Sequence, residues 1–242
     1  MSWAAHDLEP YALQRHLGAR VAIIPLLLGS YAPDLGTKWL VYGVTIFGYE
    51  IKAGENEAQF HRGWPGVGFT HSLAFGVLVA GLILVIFHSR IWALSFLIGQ
   101  WAHAITDVGD TVGCMLFFPF TTYHVALGAW AYAAQEGRFL DAAAYFSGPG
   151  GVVWEGFWVV LALLYWRVLT RDYFRRVVTP ADATWRWLGR FLPEAAILAL
   201  FRASYFYGVT RWTAWMIWAH VVHDYPFDLT WGGPGWVTPA RP

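Results

Sequence analysis

Charge and cysteine are what this chain has least of. Of its 242 residues only 13% are Asp, Glu, Lys or Arg, about half the roughly 25% of ordinary soluble domains. Positive and negative charges balance to a formal net charge of zero, which excludes the basic footprint of a nucleic-acid partner. A single cysteine, Cys114, excludes an intramolecular disulfide and with it a cysteine-stapled secreted scaffold. No G-x-S-x-G nucleophile elbow occurs, and Cys114, in an apolar segment, reads as a packing residue. The first twenty residues carry Asp7, Glu9, Arg15 and Arg20 before any apolar run, unlike the basic start of a cleaved signal peptide.

Apolar and aromatic residues fill the space that charge leaves. The chain is 57% hydrophobic, with a mean hydropathy of +0.41, sixteen Trp and twelve Tyr. This composition predicts an all-α fold: a polytopic integral membrane helical bundle in a lipid bilayer, with aromatic belts at the interfaces. Val21–Leu28 and Trp39–Tyr49 are each shorter than the roughly 20 residues of a span, so two short helices are expected around a break at Pro33. Glu50–Gly68 reads as a polar loop. Phe69–Phe87 and Ile91–Asp107, separated only by His88, Ser89 and Arg90, predict an antiparallel transmembrane hairpin, with Thr70 as N-cap. Thr111–Ala134 is a third apolar segment and Val152–Leu169 a further span. The C-terminal part, with Arg202 and with Trp212, Trp215 and Trp218 at every third position, suits interfacial helices. Residues 1–134 then form a membrane region carrying the His/Asp motifs. Residues 135–242 add a helix, an Arg-rich segment and aromatic helices, all in one continuous domain. Six arginines from Arg167 to Arg190 place that segment in the cytoplasm by the positive-inside rule.

Two polar clusters interrupt the apolar background. Between Gly63 and Gln135 the only formally charged residues are Arg90, Asp107 and Asp110. In the same stretch lie His71, at the start of one apolar run, and His103, four residues before Asp107. Ionisable residues in apolar helices mark functional sites. On a helix, His103 and Asp107 share one face with Cβ atoms about 5–6 Å apart, and imidazole with carboxylate at that spacing suits Zn²⁺ or Mn²⁺. Antiparallel packing would bring His71 to Asp107. His61, across a Gly-rich loop, and Asp34, at the Pro33 break, are further candidates, and Asp110 is a sixth. The competing reading is a polar helix–helix contact without metal, with Asp34 capping a turn and His61 an ordinary loop histidine. His88 and Arg90 read as anchors of the hairpin end and His124 as structural, while His6 and His16 have no supporting context. Trp101–Asp107 (WAHAITD) is echoed by Trp218–Asp224 (WAHVVHD): either coincidence in a Trp-rich chain, or a second site at His220, His223 and Asp224.

These residues resemble a family. Gly29–Leu35 (GSYAPDL), His61-Arg62-Gly63, Thr70-His71-Ser72, His103–Asp107 (HAITD) and Pro119-Phe120 are similar to the predicted membrane-bound metal-dependent hydrolases of the YdjM-like bacterial inner-membrane group, over roughly residues 21–124. Here Gly36 stands where that group often has a second acidic residue, and residues 64–69 separate blocks that are contiguous in the group. The resemblance implies a metal site at Asp34, His61, His71, His103 and Asp107.

Two functions follow as expectations. The first is an integral-membrane metallohydrolase acting on a lipid-like phosphoester or acyl substrate. His61, His71, His103 and Asp107 are its metal ligands, Asp34 a ligand or general base, and Arg62 a grip for an anionic oxygen. The second is a non-catalytic accessory subunit of a larger membrane complex, meeting other subunits, pigment or lipid through its Trp-rich C-terminal helices, with a helix histidine as a haem or chlorin ligand. A transporter, suggested by broken helices near Asp34, is a weaker third.

Overall fold

Helices make up most of this chain in a computed structural model that describes residues 3–35, 44–51, 57–130, 132, 138–230 and 235–237. The longer ones are, in order, α1 (Trp3–Leu17), α2 (Ile23–Leu35), α3 (Glu57–Arg62), α4 (Leu73–Phe87), α5 (Arg90–Asp107), α6 (Arg138–Ser147), α7 (Gly156–Leu164), α8 (Ala183–Leu188) and α9 (Glu194–Ile217). Two small antiparallel ribbons accompany them. Strand β1 (Val44–Ile46) pairs with β2 (Tyr49–Ile51), and β3 (His124–Ala126) pairs with β4 (Gly235–Val237) with Val125 opposite Trp236.

The expected polytopic membrane bundle is overturned. Among the described residues no helix is long and apolar enough to cross a membrane. The 15 residues of α4 rise only about 22 Å at 1.5 Å each, short of the roughly 30 Å hydrocarbon core. The 18 residues of α5 include Arg90, Gln100, His103 and Asp107, and the 24 of α9 include Glu194, Arg202 and Arg211. Nor is the chain purely helical. Thr111–Ala134 forms no span: its described part is irregular and contains β3, with Gly113 and Gly128 at positive φ turning the chain where a helix could not. The expected Val152–Leu169 span is a π-helical start (Gly150–Glu155) and α7, ending at Tyr165. Without a spanning helix among the described residues, the positive-inside placement of the Arg-rich segment in the cytoplasm has no span to orient.

Local expectations fare unevenly. Helix α2 continues through Pro33 without a break, although the proline lacks the amide that would donate to the Gly29 carbonyl. The apolar run expected to resume over Trp39–Tyr49 is a ribbon where it is described; residues 36–43 lie outside the described set. The polar loop Glu50–Gly68 contains the helix α3, so His61 and Arg62 ride on a helix. Helices α4 and α5 do form an antiparallel hairpin, turned at His88 in the left-handed conformation. The N-cap of α4 is Ser72, whose hydroxyl accepts from the Phe75 amide at 3.1 Å, rather than Thr70.

The core lies between α1, α7, α9 and the turns of 166–188, where Leu8, Tyr11, Ile23, Val159, Phe201 and Tyr205 pack together. A smaller cluster joins Trp130, Ala142, Ala143 and Phe146 to Ala219. Asp182 ties distant parts of the chain. One carboxylate oxygen accepts from the Ile24 amide at 2.9 Å at the start of α2, and the other caps α8 through the Thr184 amide at 3.0 Å.

Candidate metal centre

Helices α2 and α5 set the site by crossing at backbone contact. A Cβ on Gly29 would lie 2.2 Å from the Phe96 carbonyl oxygen, and one on Gly99 would lie 2.1 Å from that of Leu26. Only glycine permits this approach, which sets the last turn of α2 against the last turn of α5. Asp34 from the first and His103 and Asp107 from the second therefore meet. Helix α5 also pins the turn that carries His71. The Gln100 amide donates to the carbonyls of Thr70 and Ser72 at 3.0 and 3.1 Å, and the Trp101 indole donates to Leu73 at 3.1 Å. The loop after α3 folds tightly back, with the Val67 amide donating to Phe60 at 2.7 Å and Gly68 to Gly63 at 3.1 Å. That closure brings His61 to His71 across the residues separating the two motifs, their ring centroids 5.0 Å apart.

All five expected ligands converge. His61 Nε2 lies 3.1 Å from Asp34 Oδ1, and His103 Nε2 lies 3.1 Å from Asp107 Oδ2. His71 Nε2 stands 3.6 Å from both carboxylates. One donor atom each from Asp34, His71, His103 and Asp107 lies within 4.8 Å of the others. Donors around one tetrahedral Zn²⁺ at about 2.0–2.2 Å lie roughly 3.3–3.6 Å apart, close to the 3.1–3.6 Å already seen for three of these pairs, so the wider pairs must draw in to share an ion.

Second-layer hydrogen bonds fix the histidine tautomers. His103 Nδ1 lies 2.5 Å from the Ser30 carbonyl oxygen, which can only accept, so Nδ1 carries a proton and, in the neutral ring, Nε2 is a lone pair. The Thr70 hydroxyl reaches carbonyl oxygens of Val67 and Pro33, so toward His71 Nδ1, 3.2 Å away, it acts as acceptor, and His71 Nε2 is likewise a lone pair. Both Nε2 atoms are buried without a hydrogen-bond partner among the described residues. Burial, then the Arg62 charge, pushes the His71 pKa well down, keeping it neutral. Neutral imidazole lone pairs aimed at carboxylate oxygens repel unless a cation lies between them, so the donor set fits a divalent ion. The Asp34 side chain is 11% exposed while those of His61, His71, His103 and Asp107 are 0–1%, so the cluster opens outward at Asp34.

Arg62 occupies the inner wall. Its guanidinium lies 2.5 Å from Asp107 Oδ2 and 3.5 Å from Asp110, donates to Cys114 Sγ at 2.7 Å and stands over the Tyr132 ring. Burial alone would raise the Asp107 pKa; Arg62, then His103, overcomes it and holds the carboxyl well below the usual range. Cys114 thus has a basic neighbour that its sequence context did not show, although burial still pushes its thiol pKa up. Asp110 accepts from the amides of Val112 and Gly113 at 2.9 and 2.6 Å, so it serves the loop and Arg62 and stands outside the four-donor group.

The sequence reading missed α1. His6 stacks on His103 with centroids 3.7 Å apart, and its Nε2 lies 3.3 Å from Asp107 Oδ1. Burial, then His103, lowers its pKa to about 3. Glu9, one turn on, accepts from Thr106 at 3.4 Å, and burial pushes its pKa up to about 8. The H-x-x-E spacing, which places both residues on one helix face, was the available signal. The C-terminal echo does not join the site. His220 lies within hydrogen-bond distance of the carbonyls of Tyr225 (2.9 Å) and Phe146 (3.3 Å), while His223 and Asp224 are exposed. Both partners are carbonyl oxygens, which only accept, so a neutral His220 ring donates to one of the two.

Neither the curated proteins nor the solved structures contain a match to this chain. A family model described as YdjM inner membrane protein does match, over residues 4–174, a span that includes α1 with His6 as well as every residue of the four-donor cluster. The chain belongs to the YdjM inner membrane protein family.

Proposed function

We propose that this protein is a divalent-metal hydrolase working at the bacterial inner membrane on a lipid-like phosphoester or acyl ester. The observation that carries the reading is the convergence of the Nε2 atoms of His71 and His103 and two carboxylates in a buried cluster that opens at Asp34. A bound Zn²⁺ or Mn²⁺ would supply Lewis-acid polarisation of the scissile group and lower the pKa of water. The chain's own residues do the rest. His71, His103 and Asp107 would hold the ion with their lone pairs, and His61 flanks Asp34. Asp34, the most exposed of the set, accepts a proton from the attacking water or completes the coordination. Arg62 has its donors on Asp107, Asp110 and Cys114, so it is a positioning residue that orients Asp107 rather than a grip on substrate.

An apolar substrate suits the outer surface. Helix α4 exposes Val77, Leu78, Leu82, Val85, Ile86 and Phe87, a patch of the kind that marks membrane or partner contact. The alternative, a non-catalytic subunit, draws support from the exposed Phe206, Tyr207, Ile217 and Val221 of α9 and the turn after it.

Elemental mass spectrometry of the purified protein tests the reading. About one equivalent of a transition metal is expected, lost in His71→Ala and Asp107→Asn at unchanged helix content, with a lower melting temperature in Asp107→Asn because it unpairs the buried Arg62. A wild type that takes up no metal on reconstitution overturns the site. Bound metal without turnover of any phospholipid or acyl ester would favour the subunit reading.

A further inference from the structure

The Arg-rich segment leaves a second concavity that the metal centre does not use. A cavity of about 360 Å³ lies between α8, the start of α9 and the turns of 171–181. Phe174, Trp185 and Ile197 are its buried floor, and Arg175, Arg186 and Arg190 line its wall. Glu194 is its only carboxylate and is already engaged: it takes both Nε and Nη2 of Arg175, at 2.9 and 2.6 Å, and Arg171 Nε at 2.5 Å. Arg186 is held in place by one nitrogen, Nη1, on the carbonyls of Thr179 and Pro180, which leaves Nε and Nη2 to donate elsewhere. The Arg190 guanidinium makes no hydrogen bond or ion pair among the described residues. Arg186, on α8, and Arg190, in the turn that follows it, both line the cavity; the Asp182 carboxylate lies within electrostatic reach of Arg186, and Arg190 has no counter-anion among the described residues.

The neighbouring surface says what kind of anion fits. Trp187 and Phe191 pack edge to face at 5.2 Å and are 54% and 68% exposed, with Leu192 beside them. Exposed aromatic residues next to unpaired arginines are the signature of a headgroup-level contact with an anionic membrane. A free phosphate would need neither the apolar floor nor the aromatic rim. We propose that this cavity seats the phosphate of an anionic phospholipid headgroup between Arg186 and Arg190, with Trp187, Phe191 and Leu192 resting at the bilayer surface. The site stands apart from the metal centre and lies, but for Phe174, beyond the segment matched by the family model.

Native mass spectrometry of the full chain in mild detergent tests this, with phosphatidylglycerol, phosphatidylcholine and inorganic phosphate as probes. Preferential retention of one phosphatidylglycerol is expected. At about 1 kcal/mol per arginine near an anionic lipid, R190Q should weaken retention roughly fivefold and R186Q/R190Q on the order of 25-fold. R190K should bind like the wild type, and metal content should not change in any of them. R190Q removes no bond of the described fold, so its result is not confounded by misfolding. Equal retention of both lipids, or variants that bind like the wild type, would overturn the proposal. Displacement of the lipid by millimolar inorganic phosphate would reassign the cavity to a soluble anion and overturn the lipid assignment.

Discussion

Arg62 shows how one side chain sets the chemistry of its neighbours. Fully buried, it faces two carboxylates and a thiol; without it Asp107 and Asp110 would lie buried with their main cationic partner gone. Breaking a buried pair from one side costs about 3–5 kcal/mol, so Arg62→Met should lower the melting temperature sharply. Arg62→Lys keeps the charge but loses the planar fork that reaches Asp107 and Cys114 together. It should leave the fold intact and weaken metal binding on the order of 10–100-fold, as loss of a ligand-orienting partner does. Competition with a metal-sensitive dye would measure it, and unchanged affinity in the lysine variant would remove Arg62 from the positioning role.

Among the elements, the α2–α5 crossing decides the site. Gly29 and Gly99 let the two backbones touch, and the Ser30 carbonyl that fixes the His103 tautomer sits one residue from that contact. Gly99→Ala would drive a methyl into the Leu26 carbonyl. The expected cost is roughly 1–3 kcal/mol of overpacking, together with weaker metal retention as Ser30 moves away from His103. Gly81, on the open face of α4, would have nothing within 4 Å of an added methyl, and Gly81→Ala should be neutral or stabilising by up to about 1 kcal/mol. Thermal melts of the two variants beside the wild type check the contrast; equal melting temperatures would mean that the crossing is not tight.

For the whole molecule, a few polar links join distant parts of the chain. Asp182 joins the start of α2 to α8, Asp7 meets Tyr31 of α2 and Arg211 of α9, and Glu194 ties the start of α9 to Arg171 and Arg175. The bonds from Arg175 and Arg171 lower the Glu194 pKa from 4.5 to about 2. A carboxylate depressed in the folded state stabilises it above the unfolded pKa, and that stabilisation is lost as pH falls through the folded one. The melting-temperature gap between wild type and Glu194→Gln should therefore hold steady from pH 7 to about 5 and close as the pH approaches 2. Because the pair is solvent-exposed, the gap should also shrink in high salt. A gap that persists at pH 2 would show that the link acts through packing instead.

The grouping of the candidate donors was legible in the chain because such residues are rare in it. In an apolar background, His103 and Asp107 at helical spacing and His71 beside a turn could be read as a site, and Asp34 and His61 were carried by short motifs. The hairpin of α4 and α5 was legible for a similar reason: two apolar runs with a three-residue break leave little choice of topology. What the chain by itself did not determine was which apolar runs are long, straight helices. Mean hydropathy does not register the left-handed glycines at 113 and 128, the end of α7 at Tyr165 or the polar residues within α5 and α9, and these dispose of the expected spans. Tertiary structure alone decided that α1, polar in sequence, is buried and brings His6 and Glu9 to the centre, that Arg62 turns inward onto Asp107, and that the C-terminal histidines stay apart. Sequence spacing governs which side chains share a face of one helix; which faces meet depends on packing over the whole chain, here on two glycines that let α2 and α5 touch.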